Sequence, residues 1–326
     1  MNLLKFKKHL DKYLIPYVVV AMVIGFILGL HINVKHYSTL FKNLNLIVVI
    51  SMIYPMMVNL KIEALGKTAK AGKQIIIALI MGLVFAPLLV FGLNLLFHIN
   101  PSLSLGLILA MVVPCSSMAI AYTGLSDGNL ELSTIIVTLS FTLAIITVPG
   151  WLKLFASSYH VPLSAWLLIK TIIIVVFIPL FFGYLTRIAL LKKMGLEGFE
   201  KIKPLFPSIS ILGMFAIVAL IFMEKAKLVA SKPGVVAISL IPLSLYYIIS
   251  LLLLTFFNKK IGLSYEDHMS VVFTSVGKNE GTAMAIAMAA GMGLMAIPPA
   301  VTPILQIPFL VGYLKFAQKI KEWWKK

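Results

Sequence analysis

Residues 269–296 read MSVVFTSVGKNEGTAMAIAMAAGMGLMA. A stretch of about 17 or more apolar residues is long enough to cross a bilayer, yet Gly277-Lys278-Asn279-Glu280-Gly281 sits in the middle of this one. A charge at bilayer depth costs about 3 kcal/mol or more, so an ionisable residue placed there points to function. Glycines at both ends let the helix unwind, and unwound backbone at that depth is tolerated only where it lines a cavity or is buried in protein.

A second interrupted stretch lies near the middle of the chain, at residues 107–124, LILAMVVPCSSMAIAYTG. Pro114 removes a backbone donor and breaks the helix ahead of Cys115-Ser116-Ser117. Met-Ala-Ile-Ala follows this break at 118–121 and the other at 284–287, an offset of 166 in a chain of 326 residues. Paired broken helices at corresponding positions of two halves mark the binding site of a transporter. Pro114, Ser116, Ser117, Asn279 and Glu280 are therefore candidate solute-binding residues, and Lys278 with Glu280 a candidate ion-coupling pair.

Composition agrees with a membrane protein. The chain is 60% hydrophobic and 12% charged, with a mean hydropathy of +1.03, and a soluble domain carries about twice that charged fraction. The net charge of +17 raises the question of nucleic acid. The positive residues, however, are confined mainly to short loops and the termini, where membrane topology accounts for them. The single cysteine excludes an intrachain disulfide and a multi-cysteine metal site. The six histidines sit at span ends or in loops, so neither a haem pair nor an intramembrane zinc triad can be built, and no cofactor is expected. The N-terminal sequence has no small-residue cleavage site after a short apolar core, so no removed signal peptide is expected.

Ten apolar segments predict ten transmembrane helices, near 14–30, 44–60, 74–97, 104–124, 132–152, 164–191, 207–223, 234–257, 269–290 and 297–317. The first two and the seventh are short, and the sixth is long enough to tilt. With each Lys and Arg counted with its nearest loop, 20 fall on the side of the termini and 6 on the other; Lys170 and Lys278 lie within spans. That bias places both termini in the cytoplasm of a cell membrane. Five spans per half then make the halves inverted repeats, 1–157 and 158–326, within one integral membrane domain.

Other polar residues carry weaker signals. Thr134, Thr138 and Thr142 recur every four residues on the fifth span and share one face. They either bond back to their own helix, at about 0.6 kcal/mol each, or help bind a cation or a neutral polyol-like solute. Asp127 and Glu131 sit in the loop between the fourth and fifth spans and are expected to be solvated and to help cap the fifth helix, rather than to form a cation-attracting vestibule. Trp323 and Trp324 among lysines read as an interfacial anchor. Cys115 at the break is either a small buried hydrophobe or a soft ligand for a thiophilic solute.

Several of these segments resemble the arsenical-resistance arsenite permease family, within the wider bile acid:sodium symporter superfamily. They are Ile53-Tyr-Pro-Met-Met-Val-Asn59 with Leu60–Gly66, Ala86–Gly92, Val113–Met118 with Leu125–Gly128, Thr274–Glu280 with Ala283–Ala287, and Thr302–Pro308. The resemblance implies an all-α polytopic protein of ten helices in two inverted five-helix repeats, with broken helices 4 and 9 crossing at mid-membrane. It implies efflux of arsenite or antimonite in exchange for protons, with Cys115, as metalloid ligand, and Glu280 as the counterparts of the family's essential pair. Lys278 departs from the pattern, where an asparagine is expected and the glutamate one place later. In sodium-coupled relatives the ninth-helix break supplies oxygens to sodium; Ser275 would be the weak stand-in here, and Lys278 places a fixed cation there instead.

Three functional classes follow. A secondary transporter leads, either a metalloid–proton antiporter or a sodium-coupled organic-anion symporter. A channel needs no alternating halves, and the inverted repeat argues against it. An intramembrane enzyme would need a base to activate Cys115, and no histidine lies inside a span. The expected partners are a small inorganic or organic solute, a proton or sodium ion, and lipid, with no nucleic acid.

Overall fold

The computed structural model describes residues 3–32, 34, 36–60, 72–161, 165–231, 233–290 and 293–325. The Lys61–Gly66 part of the second-span motif, the loop residues Lys67 and Lys70, and Gly291-Met292 lie outside the described residues. Among those described the fold is all-helical, and the only bridge of β type is isolated, between Cys115 and Lys278.

Helix α1 (Leu3–Lys12) leads into α2 (Leu14–His31) and α3 (Ser38–Val58). Helix α4 (Gly72–Ile80) passes through a wide π turn, Met81–Phe85, into α5 (Ala86–Leu96). Two half-length helices follow, α6 (Pro101–Val112) and α7 (Met118–Leu125), then the long α8 (Leu130–Ser158). Helix α9 (Ala165–Ile172) passes through a second π turn, Ile173–Phe177, into α10 (Ile178–Ile202). Then come α11 (Leu205–Ser231), α12 (Gly234–Lys260), the half-length α13 (Tyr265–Val276) and α14 (Glu280–Ala289), α15 (Ile297–Lys315) and α16 (Ala317–Trp324). Among the described residues, eight helical stretches are long and apolar enough to cross a membrane. The fourth and ninth expected spans are missing from the eight because each is split into two short helices.

Both π turns have a local cause. Each is followed at the second residue of the next helix by a proline, Pro87 or Pro179. Proline has no N–H and its ring crowds the carbonyl four residues back, and a π turn widens the helix there. Some helices outrun their apolar segments. Helix α11 continues to Ser231, past Glu224, whose carboxylate accepts from Asn45 Nδ2 at 2.7 Å. Helix α10 continues to Ile202 across a kink at Gly195, whose φ of 69° suits only glycine comfortably.

Helices α2, α3, α10 and α11 pack as one group. Their contact is backbone to backbone: a Cβ on Gly25 or Gly29 of α2 would meet the carbonyl oxygen of Ala219 or Met223 at 2.2 Å. Lipid tails are as apolar as leucine, so close approach through small residues is what joins helices in a bilayer. Helices α4–α8, α12, α13 and α15 pack as a second group, and α14 touches α3 and α11 on one side and α6 and α15 on the other.

Two expectations about the ends change. The α8 N-cap is Asn129, whose Oδ1 accepts from Leu132 N–H at 3.0 Å. Asp127, at φ 56°, instead pairs with Lys321 of α16 at 3.0 Å. Trp324 packs on protein: its indole N–H donates to Leu263 O at 2.8 Å and its ring stacks on buried His268 with centroids 4.2 Å apart. Tyr265 OH donates to Ser126 O at 2.9 Å and to Ala317 O at 3.3 Å, so α16 closes over the ends of α7 and α13.

Candidate functional site at the paired helix breaks

The two interrupted stretches meet. Ser116 N–H donates to Gly277 O at 2.8 Å, and Asn279 N–H donates to Pro114 O at 3.0 Å, an antiparallel pairing centred on Cys115 and Lys278. An extended strand turns alternate backbone groups to opposite sides, so Lys278 N–H and C=O face the other way. Gln306 of α15 takes both: its Oε1 accepts from Lys278 N–H at 2.7 Å and its Nε2 donates to Lys278 O at 2.9 Å. Tyr247 OH of α12 also donates to that Oε1, at 3.2 Å. The amide of one glutamine thus stands in for a neighbouring strand, and the unwound segment satisfies its buried backbone groups.

Helix α14 then restarts with Asn279 as N-cap, Oδ1 accepting from Thr282 N–H at 3.0 Å, while Asn279 Nδ2 donates to Met56 Sδ of α3 at 2.9 Å. The two charges of the break part company. Lys278, 1% exposed, donates its ammonium to Gly82 O in the first π turn. That carbonyl is free because Ala86 N–H goes to Met81 O and Pro87 has no N–H. Glu280 is 4% exposed, and neither of its carboxylate oxygens has a hydrogen-bond partner among the described residues.

A cavity of about 960 Å³ lies between the two helix groups. At one end its wall includes Lys7, Asp11 and Lys203; at the other it reaches Lys278, Asn279 and Glu280. Ser116, Ser117, Thr134 and Thr138 also line it, as do the thioethers Met52, Met56, Met118 and Met214. Thr134 and Thr138 bond back to Leu130 O and Thr134 O, each at 2.8 Å, and Thr142 to Thr138 O at 3.1 Å. Their hydroxyl protons are therefore used, and only oxygen lone pairs face the cavity.

Pro114, Cys115 and Ser275 are not on the cavity wall. Ser275, 1% exposed, points to Ala78 O at 3.4 Å. Cys115, 2% exposed, faces α8, with its N–H at 3.2 Å and its Sγ at 3.1 Å from Ser140 Oγ. Ser140 spends its single proton on Val137 O at 2.8 Å, so its oxygen accepts and the thiol donates. Three parts of the site escaped the sequence reading. Gln306 had a signal, an amide inside an apolar span between two prolines; Gly82 had none beyond Pro87 five residues on; the methionines look like any core residue.

Residues 46–232, more than half of the chain, match the family described as Sodium Bile acid symporter family. The chain is 26% identical to the arsenical-resistance protein Acr3 of Corynebacterium glutamicum, over 93% of this chain and 87% of that protein. It is 24% identical to the protein of Bacillus subtilis named uncharacterized sodium-dependent transporter YocS, covering 87% of this chain and 84% of the relative. It is 22% identical to the Acr3 protein of Alkaliphilus metalliredigens, covering 83% and 80%. With its apolar helices, its paired breaks and this match, the chain is a multi-pass membrane transport protein and belongs to the sodium bile acid symporter family.

Proposed function

We propose that the protein is a secondary active transporter that exports arsenite or antimonite across the plasma membrane in exchange for protons. The observation that carries this reading is the cavity between two helix groups that ends on Lys278, Asn279 and Glu280. An acid buried at membrane depth at the end of such a cavity is the kind of group that proton relays in transporters use. The two relatives named for arsenical resistance support the solute.

Each pair of half-helices, α6 with α7 and α13 with α14, counts in this reading as one further crossing, giving ten spans in two inverted repeats, 1–157 and 158–326. Helices 4 and 9 then cross where Cys115 and Lys278 pair. With both termini cytoplasmic, as the lysine and arginine bias argues, α1 and the Glu200–Lys203 turn lie on the cytoplasmic side. The cavity they line then opens to the cytoplasm, the side from which an exporter loads. Ser116, Ser117, Thr138, Asn279 and Glu280 face the solute, and Lys278 supplies a fixed cation, so no sodium is needed.

A sodium-coupled symporter of organic anions is the second reading. It is favoured by the relative named as sodium-dependent and by a cavity volume suited to a ligand of drug size. One experiment separates the two: uptake into everted vesicles of arsenite, antimonite and a bile-acid-like anion, with and without a proton or a sodium gradient. Arsenite uptake driven by protons and indifferent to sodium is expected; anion movement driven by sodium overturns the proposal. The double variant Lys278→Met with Glu280→Gln should still exchange solute down its gradient and lose its response to pH.

A further inference from the structure

We infer that the solute path continues past the two breaks into an outer chamber, closed in this structure, whose wall is the outer halves of α3 and α11 and whose polar mouth is Asn45 with Glu224. That mouth suits a solute that donates hydrogen bonds and disfavours an organic anion. The inference rests on the two inverted repeats of the proposed function and deepens that reading.

The first observation is a continuous stripe on each helix. Leu60, Met56 and Met52 of α3 line the cavity at steps of four residues. Val49 and Asn45 follow at steps of three and four, so they share that face. On α11, Ser210 and Met214 line the cavity, and Ile217, Ile221 and Glu224 continue the stripe at steps of three, four and three. The middle of both stripes is apolar and shut: Val49 is 2% exposed, Ile217 and Ile221 are 0% exposed, and none of them is on the cavity wall. Helix α14 packs against both helices, so displacing it with the second helix group uncovers their faces. The far end of the stripes turns polar again, where Asn45 Nδ2 donates to Glu224 Oε1 at 2.7 Å from one helix to the other.

The second observation is the symmetry of the crossing. The bonds Ser116 N–H to Gly277 O and Asn279 N–H to Pro114 O exchange with one another at an offset of 163 residues. The repeated Met-Ala-Ile-Ala gives an offset of 166. At 165, inside that range, Asn59 corresponds to Glu224 and Asn45 to Ser210. Asn59 and Ser210 both line the open cavity. In a transporter of inverted repeats, rocking closes the path on one side and opens the equivalent surface on the other. The residues that line the open side therefore name those that line the closed side.

The outer mouth offers acceptors. Glu224 Oε2 is 4.0 Å from Lys225 Nζ, too long for a hydrogen bond. Asn45 Oδ1 is buried and has no hydrogen-bond partner among the described residues. A carboxylate beside an unpaired amide oxygen accepts from a donor and meets an organic anion with like charge.

The test is thiol labelling of the full-length protein in right-side-out and everted membrane vesicles with impermeant methanethiosulfonates. The native thiol, Cys115, is buried, so the background is low. Val49→Cys, Ile217→Cys and Ile221→Cys are compared with Val18→Cys of α2, a 0% exposed position off both stripes, and with Met214→Cys on the cavity wall. Each is labelled alone, with antimonite and with taurocholate. In right-side-out vesicles the stripe cysteines should react about tenfold faster than Val18→Cys, whereas Met214→Cys should react in everted ones. At Val49→Cys a cationic reagent should outpace an anionic one about threefold, each relative to its rate with a free thiol. Adding Glu224→Gln should remove that preference. Three stripe positions keep the test decisive where one variant fails to fold. The chamber is overturned if the folded stripe variants react no faster than Val18→Cys in all three conditions, or only from the side that labels Met214→Cys. The role of Glu224 is overturned by a missing charge preference or by one that survives Glu224→Gln. Stripe labelling that taurocholate alone speeds upholds the chamber and overturns the arsenite reading.

Discussion

The ammonium of Lys278 donates to the carbonyl of Gly82, 196 residues earlier in the chain, while the carboxylate of Glu280 next door has no hydrogen-bond partner among the described residues. Two opposite charges in one break thus do different jobs. Lysine ties the α13–α14 break to the π turn between α4 and α5, and the glutamate carboxylate stays unbonded among the described residues. The tie exists because Pro87 leaves Gly82 O without a backbone donor.

Pro87→Ala should therefore act at a distance. An alanine N–H restores a helical donor near that carbonyl, and the π turn can relax to α. The ammonium then loses a hydrogen bond to a charged group, worth about 1.5–3 kcal/mol. The expected result is a thermal midpoint at or above that of the parent, with transport slowed about tenfold. Unchanged transport alongside raised stability would show that the tie has no part in the cycle.

Gln306→Met keeps the volume and removes both amide contacts to Lys278. Two buried backbone groups lose their partners, at about 1–3 kcal/mol each. Chemical unfolding of the purified protein should report a loss of about 2–6 kcal/mol, and a change under about 1 kcal/mol would mean that water replaces the amide.

Glycine positions give a matched pair. A Cβ at Gly29 meets Met223 O at 2.2 Å, whereas a Cβ at Gly92 of α5 meets nothing within 4 Å. Gly29→Ala should cost about 1–3 kcal/mol by overpacking. Gly92→Ala should be neutral or gain up to about 1 kcal/mol from helix propensity. Thermal midpoints of the two variants, measured side by side, check the ordering.

Topology is open to a reporter. A phosphatase fused after Lys326, active only outside the cytoplasm, should stay dark, and a fluorescent protein at the same place should shine. The reverse pattern would turn the cavity mouth outward and with it the direction of loading.

Much of this fold was legible because bilayer crossing leaves a long apolar run, and eight runs became eight long helices. The breaks were legible too, since Pro114 and the Gly277–Gly281 cluster have no place in an uninterrupted span. What the sequence could not show is direction. Cys115 and Ser116 are adjacent, yet one faces α8 and the other the cavity, and in unwound backbone no helical period predicts which. Nor could the sequence show where the ammonium's hydrogen bond goes. Lys278 and Glu280 read as a pair and do act on each other electrostatically, while an acceptor freed in a distant helix takes the ammonium's hydrogen bond. Both tail tryptophans read alike in composition, and the sequence could not show that Trp324 also packs on His268 and Leu263.

The amide of Gln306 belongs to α15, which is synthesised after both breaks. Until that segment leaves the ribosome and enters the bilayer, the N–H and C=O of Lys278 have no partner in the chain, and the crossing of the two breaks cannot dry out. Assembly of the site is thus ordered in time: the two breaks wait, hydrated or guarded by the insertion machinery, for α15. A chain stopped short of residue 306 holds both charges of its centre and still has no centre, so quality control that samples the protein before release has an unambiguous defect to detect.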